Sequence, residues 1–503
     1  MELEKHTAVI DIGSNSARLV IFERSSKFGF HIVREQKSRV RIGEGAYQNN
    51  GRLQAIGITR AYQALDSFMQ TIRQYDVGHI YCVATSALRD APNAKEFIEW
   101  IKANIGIEID VIDGSKEAFY GSIAALNLLP IQSGITIDIG GGSADMSLMK
   151  MGKVVDTISL NLGGVRLKEL FRDKGKGVEE MQSFIDQEIA RIPEHFHHQS
   201  AVGMGGTIRA LSKAIMTKKS YPLKKLHAFS YSLQEQSSYF DTIIESDLEG
   251  LAKLYLKEDR FDTIREGTLI FVSILKAIKA KEVITSGVGV REGIFLSKLL
   301  KNYNYRFPAS INPSIISMQD RFDATLKHYD NTIDSALKLY DLLRHHLKMD
   351  NDKDYTKELI WAIKLSNIGK SLTIYHANEH AFYIALQELN YQYRHKSIVL
   401  ISMLLLMQGK DVKKSSHYHY YKDLLPKKSS FKILNFCYAL SIALYEDAKD
   451  ATIDLEYAHN TLTITSNRSL YLSKNSIYNI AQPKKFEIAI IDASTIPSMD
   501  GVL

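Results

Sequence analysis

Two short glycine-serine segments follow two apolar runs that lie about one small domain apart in the chain. The first run spans residues 8–12 and continues into Gly-Ser-Asn-Ser at 13–16; the second spans residues 135–139 and continues into Gly-Gly-Gly-Ser at 140–143. In such a turn, backbone N–H groups and hydroxyls can point at a phosphate because no Cβ is in the way. Two such loops, each at the end of a buried strand, predict a duplicated fold that holds a phosphate chain between its halves.

An aspartate stands near the end of each apolar run, at Asp11 and Asp138. A carboxylate beside a phosphate needs a metal ion or a water molecule between them, because like charges repel. Mg²⁺ suits this place, since it binds hard oxygen ligands and bridges phosphates with few protein carboxylates. The alternative is that each aspartate only caps a turn. The presence of both at equivalent positions favours the metal.

The polar residues of the two loops are short, and they could either contact phosphate or serve as ordinary turn residues. Their position beside glycines at strand ends favours phosphate. They are Ser14, Asn15, Ser16 and Ser143. Neither loop has the pattern Gly-x-x-x-x-Gly-Lys-Ser/Thr or Gly-x-Gly-x-x-Gly, so the sequence supports neither a Walker A loop nor dinucleotide binding.

Two further charged residues stand at strand-to-helix turns. Glu117 opens a predicted helix and could accept a proton from water as a general base. A glutamate in the first turn of a helix is also favoured by the macrodipole, and the local sequence alone favours this simpler role. Arg89 could clamp phosphate oxygens or form a surface ion pair, and the local sequence leaves both open.

The composition is that of an ordinary globular protein. The chain has 503 residues, of which 45% are hydrophobic and 24% charged, and its net charge of +6 would favour a polyanionic ligand. Two cysteines fit a reducing compartment. The charged N-terminal segment has no apolar run, so we expect a cytoplasmic protein rather than a secreted one. The apolar run at 398–407 is too short to cross a bilayer and predicts a core helix.

Strand and helix patterns alternate over residues 1–125, and the scheme repeats over 134–300. The predicted strands are 8–12, 18–22, 79–84, 108–112, 135–139, 145–149 and 154–160, and the predicted helices of the first part are 54–74 and 95–104. Two prolines within 306–313 predict a boundary. Beyond it we expect helices to about residue 450 with a loop at 413–422. Short strands are then predicted at 454–457, 461–465, 469–472 and 486–491.

Six segments, taken together, resemble the exopolyphosphatase/guanosine pentaphosphatase family, within the actin, hexokinase and Hsp70 superfold. They occur in the family's order and are residues 11–16, 84–89, 114–118, 138–143, 205–207 and 287–293. The resemblance implies an α/β, duplicated ribonuclease H-like N-terminal half and a mostly α-helical, HD-like C-terminal domain with a small β portion. The implied domains are 1–125 (actin-like domain I), 126–305 (actin-like domain II) and 306–503.

The resemblance also implies roles for single residues. Glu117 matches the family's water-activating glutamate and is the predicted catalytic base. From the loops and the resemblance together, the predicted phosphate-binding residues are Ser14, Asn15, Ser16, Arg89, Gly140, Gly141, Gly142, Ser143, Gly206, Thr207 and Arg260. The predicted ligands of Mg²⁺ are Asp11, Asp138 and Asp145. Asp145 stands where the family usually has the longer glutamate.

The C-terminal domain resembles the family's relative of HD phosphohydrolases but has lost the metal-binding pair. The equivalent of that His-Asp pair is Ser366-Asn367, and neither side chain is a good metal ligand. His376 and His380 remain, but two histidines do not make a metal site. We therefore expect a non-catalytic domain that walls the cleft, lengthens an anion channel or supports dimerisation.

The function implied is that of a Mg²⁺-dependent phosphoanhydride hydrolase. Its substrates would be inorganic polyphosphate and guanosine pentaphosphate, which it would convert to the tetraphosphate. We expect a homodimer, with no nucleic-acid partner and no membrane partner. Two alternatives remain open: a kinase of the same superfold, and a non-catalytic sensor of polyphosphate or alarmone. Phosphate release without an acceptor would exclude the kinase, and binding without turnover would favour the sensor.

Overall fold

The chain folds into two compact units. The computed structural model describes residues 4–46, 48–322, 329–347, 353–446 and 450–493. The first unit comprises Met1–Pro313 with Asn390–Tyr393, and the second comprises Ser314–Leu389 with Arg394–Leu503. The break at Pro313 lies in the segment where the prolines predicted a boundary. The division of the first unit into domains at residue 125 stays a prediction.

The first unit contains two β-sheets. The strands of the first sheet are β1 (His6–Ile12), β2 (Ala17–Arg24), β3 (Phe30–Ser38), β4 (Val77–Ala84) and β5 (Ile109–Val111). Those of the second are β6 (Gly134–Ile139), β7 (Ala144–Lys150), β8 (Lys153–Leu160), β9 (Ser200–Met204), β10 (Ser230–Ser232) and β11 (Glu282–Thr285).

The two sheets share one strand order. The first runs β3-β2-β1-β4-β5 and the second runs β8-β7-β6-β9-β11-β10, so that β6 takes the place of β1. In each sheet the first three strands are antiparallel to their neighbours, and the next strand is parallel to the central one. This repetition confirms the prediction of a duplicated α/β fold. Strand β3 was not predicted, because its second half is polar.

The middle of the central strand β1, residues 8–10, is apolar because both of its faces are covered. Side chains alternate between the faces of a strand. Ala8, Ile10 and Ile12 therefore enter the core on one face of the sheet, whereas Val9 enters a second core on the other face. All four are fully buried. Asp11, one residue before the end of the strand, is only partly buried. Chemistry is therefore possible at this end of the strand.

Helices cover both sheets of the first unit. They are α1 (Ala55–Ile72), α2 (Ser86–Arg89), α3 (Ala94–Ile105), α4 (Gly114–Leu128), α5 (Gly164–Leu170), α6 (Val178–Ile189), α7 (Gly205–Lys218), α8 (Leu233–Glu245), α9 (Leu248–Ala252), α10 (Ile264–Ala277) and α11 (Val290–Leu299). Short 3₁₀ turns lie at Arg172–Lys174, Glu194–Phe196, Glu258–Arg260 and Lys301–Tyr303.

Two of these helices each pack against the sheet of the other repeat. Helix α4 follows the first sheet in sequence but packs against β6, β7 and β8, and α11 follows the second sheet but packs against β1. The two helices cross closely, since a Cβ at Gly293 would overlap the carbonyl of Tyr120. The exchange ties the two sheets together and directs the first turn of α4 between them.

The second unit is mainly helical. Its elements are α12 (Pro313–Phe322), α13 (Tyr329–His346), α14 (Thr356–Lys364), α15 (Ala377–Glu388), α16 (His395–Met407), α17 (Ser416–Tyr421), α18 (Lys428–Leu444), β12 (Ile453–Ala458), β13 (Thr461–Ser466), α19 (Tyr471–Tyr478) and β14 (Glu487–Asp492), with 3₁₀ turns at Ile368–Ser371, Val412–Lys414 and Lys422–Leu424. The three strands form one sheet in the order β12-β13-β14.

The apolar run at 398–407 lies in α16, where all ten residues are buried. It is a core helix, as predicted. Among the described residues, no helix combines the length and the hydropathy needed to cross a membrane.

Two predictions for the second unit are wrong. The strand predicted at 469–472 is the start of helix α19, which buries Ser473 and Ile477 one turn apart. The loop predicted at 413–422 contains helix α17, which Ser415 caps by accepting a hydrogen bond from Tyr418 N at 3.1 Å. Tyr418 is also buried. In both cases the burial of residues spaced by one helical turn decides the local structure.

The residues expected at an HD-like site do not form a metal-binding cluster in the described chain. Ser366 and Asn367 stand between α14 and the turn Ile368–Ser371. The exposed His376 forms an ion pair with Glu379, with an Nδ1–Oε1 distance of 3.5 Å. His380 lies exposed on α15. The HD-like character of this unit and its non-catalytic role stay predictions.

Candidate active site

The two glycine-serine loops have the same turn geometry. In the first, Gly13 N donates to the carbonyl of Ser16 at 3.1 Å; in the second, Gly140 N donates to the carbonyl of Ser143 at 2.9 Å. Each loop connects a central strand to its antiparallel neighbour. The loops are therefore equivalent parts of the two repeats, and both emerge at the carboxyl end of the central strand.

The loops also touch each other. A Cβ placed on Gly141 would lie only 2.8 Å from Ser14 Cβ. The Ser14 hydroxyl lies 3.0 Å from the hydroxyl of Ser86, which begins α2. The two repeats thus touch at these loops, where the hydroxyls of Ser14 and Ser86 lie beside the glycines of the second loop.

This contact predicts an effect on stability. Gly141→Ala forces a methyl group against Ser14, and overpacking of this kind costs about 1–3 kcal/mol. We expect a corresponding fall in Tm, measured by thermal unfolding. Gly140→Ala is the matched control, because a Cβ there would lie 3.5 Å from its nearest neighbour, an ordinary contact. We expect it to change stability by less than about 0.5 kcal/mol; equal effects of the two variants would contradict the packing seen here.

A cleft of about 1170 Å³ opens around the loops. Twelve of the predicted site residues line it: Asp11, Ser14, Asn15, Ser16, Glu117, Asp138, Gly140, Gly141, Ser143, Gly206, Thr207 and Arg260. Three predicted residues, Arg89, Gly142 and Asp145, are not among its lining. The structure therefore gathers residues from separate segments of the first unit around one space.

Glu117 lies in the first turn of α4. Asp113 caps this helix by accepting a hydrogen bond from Lys116 N at 2.8 Å, which frees Glu117 from a capping role. Its side chain is 13% exposed, and Arg89 Nη1 lies 3.5 Å from its Oε2. Within the described chain, Oε2 has no hydrogen-bond partner. Glu117 lines the polar cleft, and a carboxylate oxygen that makes an ion pair but no hydrogen bond can still accept one from a water molecule or a substrate group.

Burial raises the pKa of Glu117 well above its usual value, and the nearby carboxylates of Asp145, Asp138 and Asp11 raise it further, whereas Arg89 lowers it. A raised pKa brings a carboxylate closer to the range in which it exchanges protons near neutral pH. Arg89 also donates from Nη1 to the carbonyl of Ile112 at 3.0 Å. It is therefore placed to act on Glu117; its predicted contact with phosphate stays a prediction.

Asp11 and Asp138 line the cleft at equivalent positions of the two repeats. Burial raises the pKa of Asp138 to about 6, although Arg209 lowers it. Burial also raises the pKa of Asp11, although Arg291 and Arg18 lower it. Burial thus disfavours the ionised form of both carboxyls, and a cation beside them would stabilise that form.

Asp145 has a different environment from the other two aspartates. Ser143 Oγ donates to its Oδ2 at 2.8 Å, and Ser159 Oγ donates to its Oδ1 at 2.5 Å. Among the described residues, no group of three or more His, Cys, Asp or Glu is arranged to hold a metal ion. Mg²⁺ commonly takes only one or two carboxylates together with phosphate oxygens. Asp11 and Asp138 fit that requirement, whereas both oxygens of Asp145 are already hydrogen-bonded.

Several cations that line the cleft were not predicted. They are Arg18, Lys37, Arg39, Arg209 and Arg291. One signal was available in the sequence: β2 pairs Arg18 with Asp11, as β7 pairs Asp145 with Asp138. Comparison of the two repeats would have selected Arg18. The others come from a strand end and two helices far apart in sequence, and nothing local marks them.

Arg209 also has a structural role. Its Nε donates to the carbonyl of Ser286 at 2.9 Å, and its Nη2 donates to the carbonyl of Val288 at 3.0 Å. It thus holds the turn that precedes α11 against α7, and it keeps a positive charge beside Asp138.

Comparison with known proteins identifies the family. The profile of the Ppx/GppA phosphatase family matches residues 20–302, more than half of the chain. The chain belongs to this family. It is 24% identical over 386 residues to the guanosine-5'-triphosphate,3'-diphosphate pyrophosphatase of Photobacterium profundum, and the match covers 75% of each chain. The predicted family is therefore confirmed, as is the class of enzyme, a phosphoanhydride hydrolase.

Two solved structures agree with the fold. The Ppx/GppA family member of Aquifex aeolicus superposes with a TM-score of 0.51 at 30% identity, over 60% of this chain and 99% of that one. An exopolyphosphatase of Cytophaga hutchinsonii superposes with a TM-score of 0.54 at 23% identity, over 58% of this chain and 97% of that one. This Ppx/GppA protein thus shares the fold of the family over its N-terminal half and carries a further C-terminal region.

Proposed function

We propose that this Ppx/GppA protein releases the terminal phosphate of inorganic polyphosphate and converts guanosine pentaphosphate to guanosine tetraphosphate. The observation that carries the proposal is the cleft that Glu117 lines together with the two equivalent loops. The loops offer backbone N–H groups and hydroxyls to one phosphoryl group, and cations of both repeats surround it. The name of the Photobacterium relative supports the nucleotide as one substrate.

In the proposed reaction, a water molecule attacks the terminal phosphorus and Glu117 accepts the proton that the water loses. The bond between that phosphorus and the bridging oxygen breaks, and the electron pair leaves with the shortened chain. Backbone N–H groups of the loops stabilise the negative charge on the terminal oxygens. Asp11 and Asp138 would hold Mg²⁺, which when bound offsets the charge of the phosphates.

The deciding experiment measures orthophosphate released from polyphosphate and from guanosine pentaphosphate, each with and without Mg²⁺ and with no acceptor added. We expect release from both substrates that depends on Mg²⁺. Release without an acceptor excludes a kinase. Binding of either substrate without release would overturn the proposal and favour a sensor.

The raised pKa of Glu117 predicts how the rate depends on pH. A carboxyl whose pKa is raised stays protonated to a higher pH, and the protonated form cannot accept a proton. We therefore expect kcat/KM to fall as the pH drops, with a midpoint well above 4.5. Ionisation of Asp138, whose pKa is about 6, should contribute to the same acidic limb.

The measurement is kcat/KM for phosphate release at a series of pH values between about 5 and 9. Circular dichroism at each pH serves as the control, because it separates loss of activity from unfolding. A rate that stays constant from pH 8 down to pH 5 would contradict the role of Glu117 as the base.

A further inference from the structure

A second depression adjoins the cleft on the first repeat. It has a volume of about 810 Å³ and lies between the end of β3 and helix α1. We name it the β3–α1 groove; its lining residues are Gln36, Lys37, Ser38, Arg39, Arg60, Gln63, Ala64, Ser67 and Phe68. Lys37 and Arg39 line both the groove and the cleft. The two spaces therefore lie next to each other and share these two cations.

The groove is positively charged. Lys37, Arg39 and Arg60 line it, and no carboxylate stands among the described lining residues. Arg60 forms an ion pair with Glu44 at 2.6 Å, and Arg39 forms one with Asp262 at 3.4 Å. Arg39 also donates to the carbonyl of Asp259 at 2.9 Å. The two arginine side chains are 30% and 40% exposed. Ion pairs of this kind in contact with solvent contribute little free energy, so a phosphate can replace them.

Lys37 lies between the cations of the cleft and those of the β3–α1 groove. Burial lowers its pKa, and the nearby charges of Arg260 and Arg18 lower it further. Asp259 raises it, and Arg39 lowers it by less. Arg260 and Arg18 belong to the cleft. A lysine whose ammonium is disfavoured by surrounding cations gains when an anion binds next to it. This is the place where a polyanion leaving the cleft would first meet the groove.

We propose that the β3–α1 groove binds phosphate residues of a linear polyphosphate beyond the reacting end. The proposal rests on the proposed function, because the cleft must hold the terminal phosphate of the same chain. A long polyphosphate carries a negative charge on every phosphate group. Different parts of one chain can therefore bind to the cations of the cleft and to those of the groove. Tripolyphosphate is too short to extend from the cleft into the groove in this proposal. The nucleoside of guanosine pentaphosphate interrupts its phosphate chain, so this substrate would not occupy the groove either.

Charge reversal on exposed positions of α1 tests this. Gln63→Glu and Ser67→Glu each place one negative charge in the groove, and both positions are exposed on the helix. We expect KM for long polyphosphate to rise about threefold for Gln63→Glu and about tenfold for the double variant, with kcat unchanged. KM for tripolyphosphate and for guanosine pentaphosphate should stay within error of the wild type.

Gln74→Glu is the matched control. It makes the same change eleven residues beyond Gln63, at an exposed position just after α1. The rise of a helix over that length is about 16 Å, roughly twice the Debye length at physiological ionic strength. We expect this variant to leave every KM unchanged. An equal rise in KM for long polyphosphate in Gln63→Glu and Gln74→Glu would overturn the proposal. Such a result would mean that KM depends on the net charge of the protein and not on the groove.

The remaining outcomes separate the groove from the proposed function. If Gln63→Glu and the double variant hydrolyse long polyphosphate with the wild-type KM, the groove proposal fails while the proposed function stands. If KM rises equally for tripolyphosphate, the groove is not a distal subsite. If the wild type releases no phosphate, the proposed function fails. Titration of fluorescent long polyphosphate then still tests the groove, which requires weaker binding by Gln63→Glu than by Gln74→Glu.

Discussion

Glu117→Gln should lower kcat for phosphate release by about two to four orders of magnitude while the protein still binds its substrate. Glutamine has nearly the same volume and keeps the first turn of α4, but its amide cannot accept a proton. No hydrogen bond to Oε2 is lost, since that atom has no such partner in the described chain. The ion pair with Arg89 is lost, so we expect the main change in kcat and a smaller change in substrate binding.

Three measurements check this prediction: the rate under saturating substrate, the dissociation constant by calorimetry, and Tm. Glu108→Gln is the control, because it is another glutamate of the first repeat whose side chain is 81% exposed. It should leave the rate unchanged. A Glu117→Gln enzyme that turns over at a near-normal rate, or one that loses activity only because it unfolds, would contradict the assignment of the base.

Asp138→Asn should have opposite effects on activity and stability. We expect phosphate release to fall by about 10²-fold or more, because Asp138 is a proposed metal ligand and its loss would remove several kcal/mol of stabilisation from the transition state. At the same time the free protein should become more resistant to unfolding at pH 8. Active-site charges that are needed for activity commonly lower the stability of the folded state.

The sign of the stability effect follows from the pKa. Burial raises the pKa of Asp138 from 3.8 to about 6, so the folded state favours the neutral form. Its ionisation therefore destabilises the fold as the pH rises from about 4 through 6, and the full effect is present above that. A tenfold change in an ionisation constant corresponds to about 1.4 kcal/mol. Because Asp138 lines a cleft that solvent reaches, we expect about 1–2 kcal/mol of destabilisation to be measurable.

Urea unfolding at pH 8 and near pH 4, without substrate or metal, tests this effect. Asp138→Asn should exceed the wild type at pH 8, and the difference should vanish near pH 4, where the wild-type carboxyl is also neutral. Asp110→Asn is the control, because Asp110 is exposed and its substitution should change little. A destabilised Asp138→Asn protein at pH 8 would show that the contacts of the carboxylate outweigh its burial.

Much of the fold could be predicted because its signals are local. The apolar run of β1 has both faces covered, and a strand in that position must be continuously hydrophobic. The predicted strands of both sheets lie within a few residues of those observed. The failures came from short segments such as 469–472, where a tyrosine and two leucines resemble a strand. There, only the burial of Ser473 and Ile477 reveals the helix.

Some residues of the candidate site could likewise be predicted from local sequence, and others could not. Gly13, Gly140 and their serines could be found because a turn at the end of a strand needs those residue types within a few positions. Lys37 and Arg209 could not, because a lysine in a strand and an arginine in a helix look the same wherever they point. They reach the cleft only through the packing of elements far apart in the chain.

The sequence by itself determined that this protein has two equivalent strand-and-glycine turns and a family resemblance that marks Glu117. The tertiary structure decided that the turns touch through Gly141 and Ser14 and that cations from both repeats surround them. It also decided that α4 carries Glu117 into a buried place between the sheets. The physical reason is that turn geometry depends on neighbours in sequence, whereas burial and electrostatic potential depend on neighbours in space.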